Sequence, residues 1–173
     1  MKPVALLAAA AAIAACAQMK PAPKLEDGEM AVPANYQTWP KALSAVQRPD
    51  VKQVREVYVN PTGQARKDQP YANGAVFVME NWAARANADG TLVVGPDGKM
   101  IKDKLLRVFL MGKGTGYGSK VANELKNGDW VYASYDAAGA KTADNLSGCR
   151  TCHLKFSSKD FVARHDDYVA ARK

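Results

Sequence analysis

Five consecutive residues near the C-terminal end of the chain, Cys149 to His153 (CRTCH), have the types and spacing of a haem-attachment site. Two thiols three positions apart can add to the two vinyl groups of one porphyrin, and the adjacent imidazole then lies below the iron. The pattern predicts one covalently attached haem c. Cys149 and Cys152 are the expected thioether links, and His153 is the expected axial ligand of the iron.

Two other kinds of site use a Cys-x-x-Cys pair, and the sequence favours neither. A zinc ribbon needs a second pair of ligands, but the whole chain has only 3 cysteines and 2 histidines. A thioredoxin-like pair opens a helix after a buried strand, whereas this motif follows the polar, turn-like residues 139–147. Haem attachment is therefore the interpretation that fits the sequence.

The first residues of the chain have the pattern of an export signal. Lys2 precedes an apolar run over residues 4–15, which is too short to span a bilayer. Residues 13–16 (IAAC) match a bacterial lipobox, which predicts a signal peptide over residues 1–16 and a lipid on Cys16. Cleavage after Ala17 by the ordinary signal peptidase is the alternative. Because c-type haem is attached outside the cytoplasm, we expect a periplasmic protein that meets the membrane only through its N-terminal lipid.

The rest of the chain fits a single domain after a linker. Residues 17–32 are rich in Pro, Lys and Ala, which predicts a flexible tether, and residues 33–173 have the length of one domain. The formal net charge is +7, but basic residues are scattered among acidic ones, so nucleic-acid binding is not indicated. A redox partner protein is compatible with this charge.

Hydrophobic alternation predicts strands over residues 54–59, 74–85, 105–111 and 129–135, with a turn at residues 95–98 between shorter extended segments. Aromatic and apolar positions over residues 33–46 predict a short N-terminal helix, and the Ser157-x-x-Asp160 pattern predicts the start of a C-terminal helix. These elements predict an α+β fold, mainly an antiparallel β-sheet with terminal helices. Most small c-type cytochromes are instead all-helical.

An ordered set of segments resembles the cytochrome P-460 family and its relative, cytochrome c′-β. The segments are PANYQTW, REVYVNP, GAVFVME, FLMGK, NGDWVYASY and NLSGCRTCH, and they extend over roughly residues 33–170. The resemblance implies a homodimer of largely antiparallel β-structure. It also implies a five-coordinate haem with an open distal side.

One position departs from the pattern of that family. In cytochrome P-460 the residue before the Glu of the GAVFVME strand is a lysine that is covalently joined to the porphyrin edge, a link tied to hydroxylamine oxidation. Met79 stands there in this chain, and a thioether cannot form the same amine crosslink. Lys99, Lys102 and Lys104 do not match the strand position. The chain therefore looks more like cytochrome c′-β, which lacks the crosslink. That resemblance implies a sensor or scavenger of small gases such as nitric oxide.

The strand alternation puts Phe77 and Met79 on one face, where the resemblance places the haem. Met79 has three roles open to it: a sixth axial ligand, an unligated wall of the pocket, or a site of oxidative modification. Met111 is a second candidate of the same kind. Phe77 and Phe109 are candidates for an apolar distal cap, which would tolerate neutral diatomic ligands.

Four further residues are candidates for roles near the haem. Arg55 matches an arginine of the family's first strand and would hold a propionate or a polar ligand. Glu80 and Asp144 are candidate proton donors in nitrogen-oxide chemistry. His165, the other histidine, fits packing in the last helix better than ligation.

Three functions are compatible with these residues. The first is a gas-binding haem protein with nitric oxide as ligand. The second is an enzyme that oxidises hydroxylamine or a related nitrogen compound, with Arg55 and Glu80 as catalytic residues. The third is an electron carrier in which Met79 or Met111 closes the sixth coordination site.

Overall fold

The computed structural model describes residues 23–143 and 145–171. Their core is a five-stranded antiparallel sheet in the order β1-β2-β3-β4-β5, so that every strand pairs with its neighbours in sequence. The strands are β1 (Lys41–Arg48), β2 (Gln53–Val59), β3 (Val76–Ala84), β4 (Lys102–Lys113) and β5 (Trp130–Asp136). Two α-helices follow the sheet, α1 (Ser147–Leu154) and α2 (His165–Ala170). The α+β class predicted from the sequence is confirmed.

Four of the five strands coincide with the predicted ones, but the predicted helix over residues 33–46 is wrong. Only Tyr36–Thr38 form a 3-10 turn, and Lys41–Arg48 are the edge strand β1. Pro40 has no N–H to continue a helix, and β2 offers residues 41–48 a ladder of hydrogen bonds. A bulge interrupts the pairing between Leu43 and Val46, where Ala45 has a φ angle of 50°.

The C-terminal helix also begins later than predicted. Ser157–Lys159 form only a 3-10 turn, and α2 starts at His165. Asp160 and Phe161 both have positive φ angles, 50° and 62°, and this left-handed backbone interrupts the helix.

The two sides of the sheet are covered by different parts of the chain. The helix face, packed under α1, α2 and the β2–β3 loop, includes Val57, Phe77, Met111 and Tyr132. The N-terminal face, packed under residues 25–39, includes Tyr58, Val78, Leu110 and Ala133. Successive strand residues point to opposite sides, so the alternation predicted for β3 is what separates these two cores.

Residues 25–32 lie against the domain, although they fall in the second half of the predicted tether. The N–H of Gly28 donates to the Tyr132 carbonyl (2.8 Å), and the Tyr135 hydroxyl donates to the Met30 carbonyl (2.7 Å). Residues 17–22 and the predicted signal peptide 1–16 lie outside the described residues. Within the described ranges, no helix has both the length and the apolar character that crossing a bilayer requires.

Arg150 fastens α1 to the sheet and to this N-terminal segment. Its side chain is buried, and its Nε and Nη2 atoms donate to the two carboxylate oxygens of Asp27 at 2.6 and 2.8 Å. Nη2 also donates to the Trp130 carbonyl at 3.1 Å, and the guanidinium lies 5.3 Å from the centre of the Tyr132 ring. This bidentate arrangement uses the fork geometry that distinguishes arginine from lysine.

We expect Arg150→Ala to lower the free energy of unfolding by about 3 kcal/mol, since removing one partner of a buried pair leaves the other uncompensated. Denaturant unfolding of the haem-loaded protein, followed by far-ultraviolet circular dichroism, measures this. Lys99→Ala is the control, because Lys99 forms an exposed pair with Asp97, and such pairs contribute little. Equal effects of the two substitutions would contradict the role of Arg150.

Candidate haem site

A cavity of about 350 Å³ lies between the helix face of the sheet and the segment that runs from α1 to α2. Its size falls in the range of small-molecule sites. Most of its surface is apolar, and β1, β2, β3, β4, β5, α1 and α2 all contribute side chains. The cavity brings together eight of the residues singled out in the sequence: Arg55, Phe77, Met79, Phe109, Met111, Cys149, Cys152 and His153.

The three residues of the attachment motif lie on one short helix. Cys149 and Cys152 are three positions apart in α1, a spacing that places side chains on the same side of a helix. Both line the cavity, Cys149 half-buried and Cys152 exposed. The helix therefore presents both thiols and the imidazole of His153 to the same space.

His153 is held in one tautomer. Its Nδ1 atom lies 2.6 Å from the carbonyl oxygen of Phe161. Because a carbonyl can only accept, Nδ1 must carry the proton, and Nε2 keeps the lone pair that binds a metal. Burial lowers the pKa of His153 and the bond to Phe161 acts against that shift. The neutral imidazole required of an iron ligand is thus favoured by burial.

Four neighbouring side chains of β3 and β4 form an apolar wall of the cavity. The register pairs Met79 with Phe109 and Phe77 with Met111, so that two methionines and two phenylalanines alternate on the helix face. Val57 of β2, which pairs with Met79, extends the wall. Phe77 also stacks on Tyr168 of α2, with ring centres 5.5 Å apart.

One part of the lining is polar and cationic. Arg55 and Asn81 are cross-strand partners on β2 and β3, and both side chains line the cavity. Burial lowers the pKa of Arg55, and the nearby charge of Arg48 adds to this shift. Arg48 and Arg164 line the cavity as well, and each is paired with a carboxylate, Asp50 and Asp167 respectively.

Three buried polar atoms of the lining lack a hydrogen-bond partner among the described residues: Arg55 Nε, Asn81 Oδ1 and Tyr132 Oη. Buried polar atoms are normally paired, so the cavity is suited to a bound group that carries polar atoms on a mainly apolar body. A haem has this character, with an apolar ring and carboxylate side chains. The donor set fits it too, with thiols for the vinyl groups, an imidazole for the iron and arginines for the propionates.

Glu80 lies away from this cavity. It neighbours Met79 in β3, so its side chain is on the N-terminal face, where it is buried. There its carboxylate accepts from Tyr36 Oη at 2.8 Å, Trp82 Nε1 at 2.9 Å, Gln37 Nε2 at 3.2 Å and Tyr58 Oη at 3.4 Å. These contacts belong to the packing of residues 36–39 on the sheet.

The remaining candidates are distributed over the fold. Met111 and Phe109 line the cavity, whereas His165 is buried beside it, with its Nδ1 atom 2.9 Å from Tyr71 Oη. Lys102 is bound to Glu56 at 3.0 Å. Cys16 and Asp144 lie outside the described residues.

Asn81, Tyr132 and Arg164 are three of the lining residues that were not predicted from the sequence. Asn81 follows Phe77 and Met79 at a spacing of two, so strand alternation could have found it. Tyr132 is the one residue of β5 that lines the cavity, so alternation within that strand gives no signal for it. Arg164 lies in an irregular loop, where no periodic signal exists.

Comparison with known proteins points to a family. The model of the family described as Cytochrome P460 matches residues 33–164, which include the whole sheet and the attachment helix. No curated protein matches the chain.

We expect Glu80→Gln to leave the haem absorption spectrum and ligand affinity unchanged, because the carboxylate lies on the opposite face of the sheet. The same change should lower the free energy of unfolding by about 1–3 kcal/mol, since buried donors lose a charged acceptor. Absorption spectroscopy and denaturant unfolding measure the two effects. Glu124→Gln is the matched control at an exposed site, and a change in ligand affinity specific to Glu80→Gln would support the catalytic role predicted for Glu80 from the sequence.

Proposed function

The chain belongs to the cytochrome P460 family and is a haem-binding cytochrome, and from this premise we propose that it binds small nitrogen-oxide ligands, nitric oxide in particular. In this proposal the protein carries one covalently attached haem c. Its iron would be bound by His153 on one side and would be open to ligands on the other. Haem iron so held supplies a coordination site for diatomic ligands and one-electron exchange.

The observation that carries the proposal is the shared cavity. Cys149, Cys152 and His153 line it together with the apolar wall of Phe77, Met79, Phe109 and Met111. A covalent link through both cysteines would fix the ring in this space, and His153 Nε2 is the nitrogen free to bind the metal because Nδ1 is engaged by Phe161. Each group therefore has one task that its chemistry suits.

The apolar wall favours neutral ligands over charged ones. An anion that enters a space lined by methionine and phenylalanine loses its hydration without gaining hydrogen bonds. Nitric oxide loses little, because it is small and neutral. Phe77 and Met79 would act by excluding water and anions from the ligand side.

The polar part of the cavity lining favours a second function. Arg55 Nε and Asn81 Oδ1 are buried and lack a partner among the described residues. A ligand with both donor and acceptor atoms, such as hydroxylamine, would satisfy them. Oxidation of such a nitrogen compound is therefore the alternative, with Arg55 as the residue that binds the substrate.

Further proposals follow from the sequence. We infer export to the periplasm, lipid attachment at Cys16 and a homodimer, and a redox partner protein would exchange electrons with the haem. The lipobox IAAC and the attachment motif CRTCH support export jointly, since both kinds of processing occur outside the cytoplasm.

The ferrous protein should show a high-spin, five-coordinate spectrum that changes when nitric oxide is added. Met79→Leu and Met111→Leu should leave the spectrum of the ligand-free protein unchanged, because leucine keeps the apolar wall and removes only the sulfur. Met30→Leu is the matched control, since Met30 is a buried methionine on the N-terminal face.

A low-spin ferrous spectrum that either cavity substitution converts to high spin, with no effect of Met30→Leu, would replace the proposal with a His/Met electron carrier. Turnover of hydroxylamine with an electron acceptor, lost in Arg55→Leu, would favour the enzyme instead.

The intact mass of the protein purified from membranes should equal the chain from Cys16 onward plus a diacylglyceryl group and one haem. The haem should remain on the polypeptide under denaturing conditions, because thioether bonds survive unfolding. The Cys149→Ala/Cys152→Ala variant should lose it. A mass that begins at Gln18 would contradict the lipid, and a haem lost by the unaltered protein would contradict covalent attachment.

A further inference from the structure

The loop between α1 and α2 contains an unusual concentration of left-handed backbone. Asp160, Phe161 and Arg164 have φ angles of 50°, 62° and 62°. Asp tolerates this region, but a bulky residue such as Phe161 is an outlier there. Strain of this kind persists only where the surrounding structure over-determines the conformation, and it clusters at functional sites.

The side chain of Asp160 supplies two of the contacts that fix the loop. Its Oδ2 atom accepts from the main-chain N–H of Tyr71 at 2.8 Å and from Lys113 Nζ at 2.6 Å. Lys113 and Asp160 are largely buried, with 13% and 16% of their side-chain surfaces exposed. Lys113 is the last residue of β4 and its Nζ lies 5.6 Å from the centre of the Trp130 ring. Asp160 thus ties the loop to the end of the sheet and to the β2–β3 loop.

The residue after Asp160 is fixed on both sides of its backbone. The N–H of Phe161 donates to the Phe156 carbonyl at 2.8 Å, and its carbonyl accepts from His153 Nδ1 at 2.6 Å. The Phe161 ring packs over Gly128, where an added Cβ would meet it at 3.3 Å. The strained turn therefore delivers one carbonyl oxygen to one imidazole.

We propose that Asp160 is a positioning residue for the iron ligand: pinned by Lys113 and the Tyr71 N–H, it holds the turn that aims the Phe161 carbonyl at His153 Nδ1. The inference rests on the proposed role of His153 as the iron ligand. A hydrogen-bond acceptor on Nδ1 orients the ring and raises the basicity of Nε2. Loss of the acceptor should weaken the bond between Nε2 and iron and raise the reduction potential.

Three substitutions at Asp160 separate the contacts from the backbone strain. Asp160→Ala removes the contacts and leaves an Ala in the left-handed region. Asp160→Gly removes the same contacts but adopts that conformation without steric cost. Asp160→Asn keeps an acceptor for the Tyr71 N–H and tolerates the conformation. Lys113→Met removes only the cation. Asp68→Ala is the matched control, because Asp68 is an exposed residue of another loop with φ 57°.

Resonance Raman spectra of the ferrous haem-loaded protein measure the iron–histidine stretch, and redox titration measures the potential. Asp160→Ala and Asp160→Gly should both lower the stretching frequency and raise the potential. Asp160→Asn and Lys113→Met should shift them less, and Asp68→Ala should leave both at the wild-type values.

If Asp160→Gly has the wild-type stretching frequency and potential, the proposal is overturned, because the contacts of the Asp160 side chain are then not needed to position His153. This holds whether Asp160→Ala changes the two values or fails to fold. A shift in Asp68→Ala equal to that in Asp160→Ala would overturn it as well. If the unaltered protein itself lacks an iron–histidine stretch, the proposed role of His153 as iron ligand is wrong. If the stretch is present but does not respond to Asp160→Gly, only the role of Asp160 is wrong.

Discussion

The buried guanidinium of Arg150 connects the parts of the protein that must meet at the haem site. It stands between the two cysteines of the attachment helix, yet all its hydrogen bonds lead away from the cavity, to Asp27 and to the carbonyls of Trp130 and Leu125. Five donors in a rigid plane can satisfy several acceptors at once. This side chain therefore helps to set the position of α1 on the sheet, and with it the direction of both thiols and of His153.

The sheet gives its two faces different chemistry through the alternation of β3. Met79 faces a cavity lined by phenylalanine and methionine, and Glu80, the next residue, faces tyrosine and tryptophan donors on the other side. A shift of one residue in register would exchange them and put a carboxylate against the haem space. The seven paired positions between β2 and β3 hold that register, so the apolar character of the site is a property of the sheet as a whole.

The sequence was sufficient for the features that depend on local spacing. The motif at residues 149–153, the strands β2 to β5 and the common face of Phe77 and Met79 all follow from patterns within a few residues. Strand β1 could not be found this way, because its conformation comes from pairing with β2 and its own pattern is irregular. The contact of Asp27 with Arg150 joins residues 123 positions apart, and the turn at Asp160 depends on Lys113 and Tyr71. Such long-range contacts produce no periodic pattern in the sequence from which they could be predicted.

Under the proposed lipid attachment, the packing of residues 25–32 on the sheet sets an upper limit to the distance between the domain and the membrane. If a lipid is attached at Cys16, the chain reaches its first packed residues near Leu25 after about nine residues. Fully extended, that length spans roughly 30 Å. A linker of this length would keep the cavity close to the lipid surface, where small apolar gases concentrate. It would also restrict electron exchange to partners at the same surface.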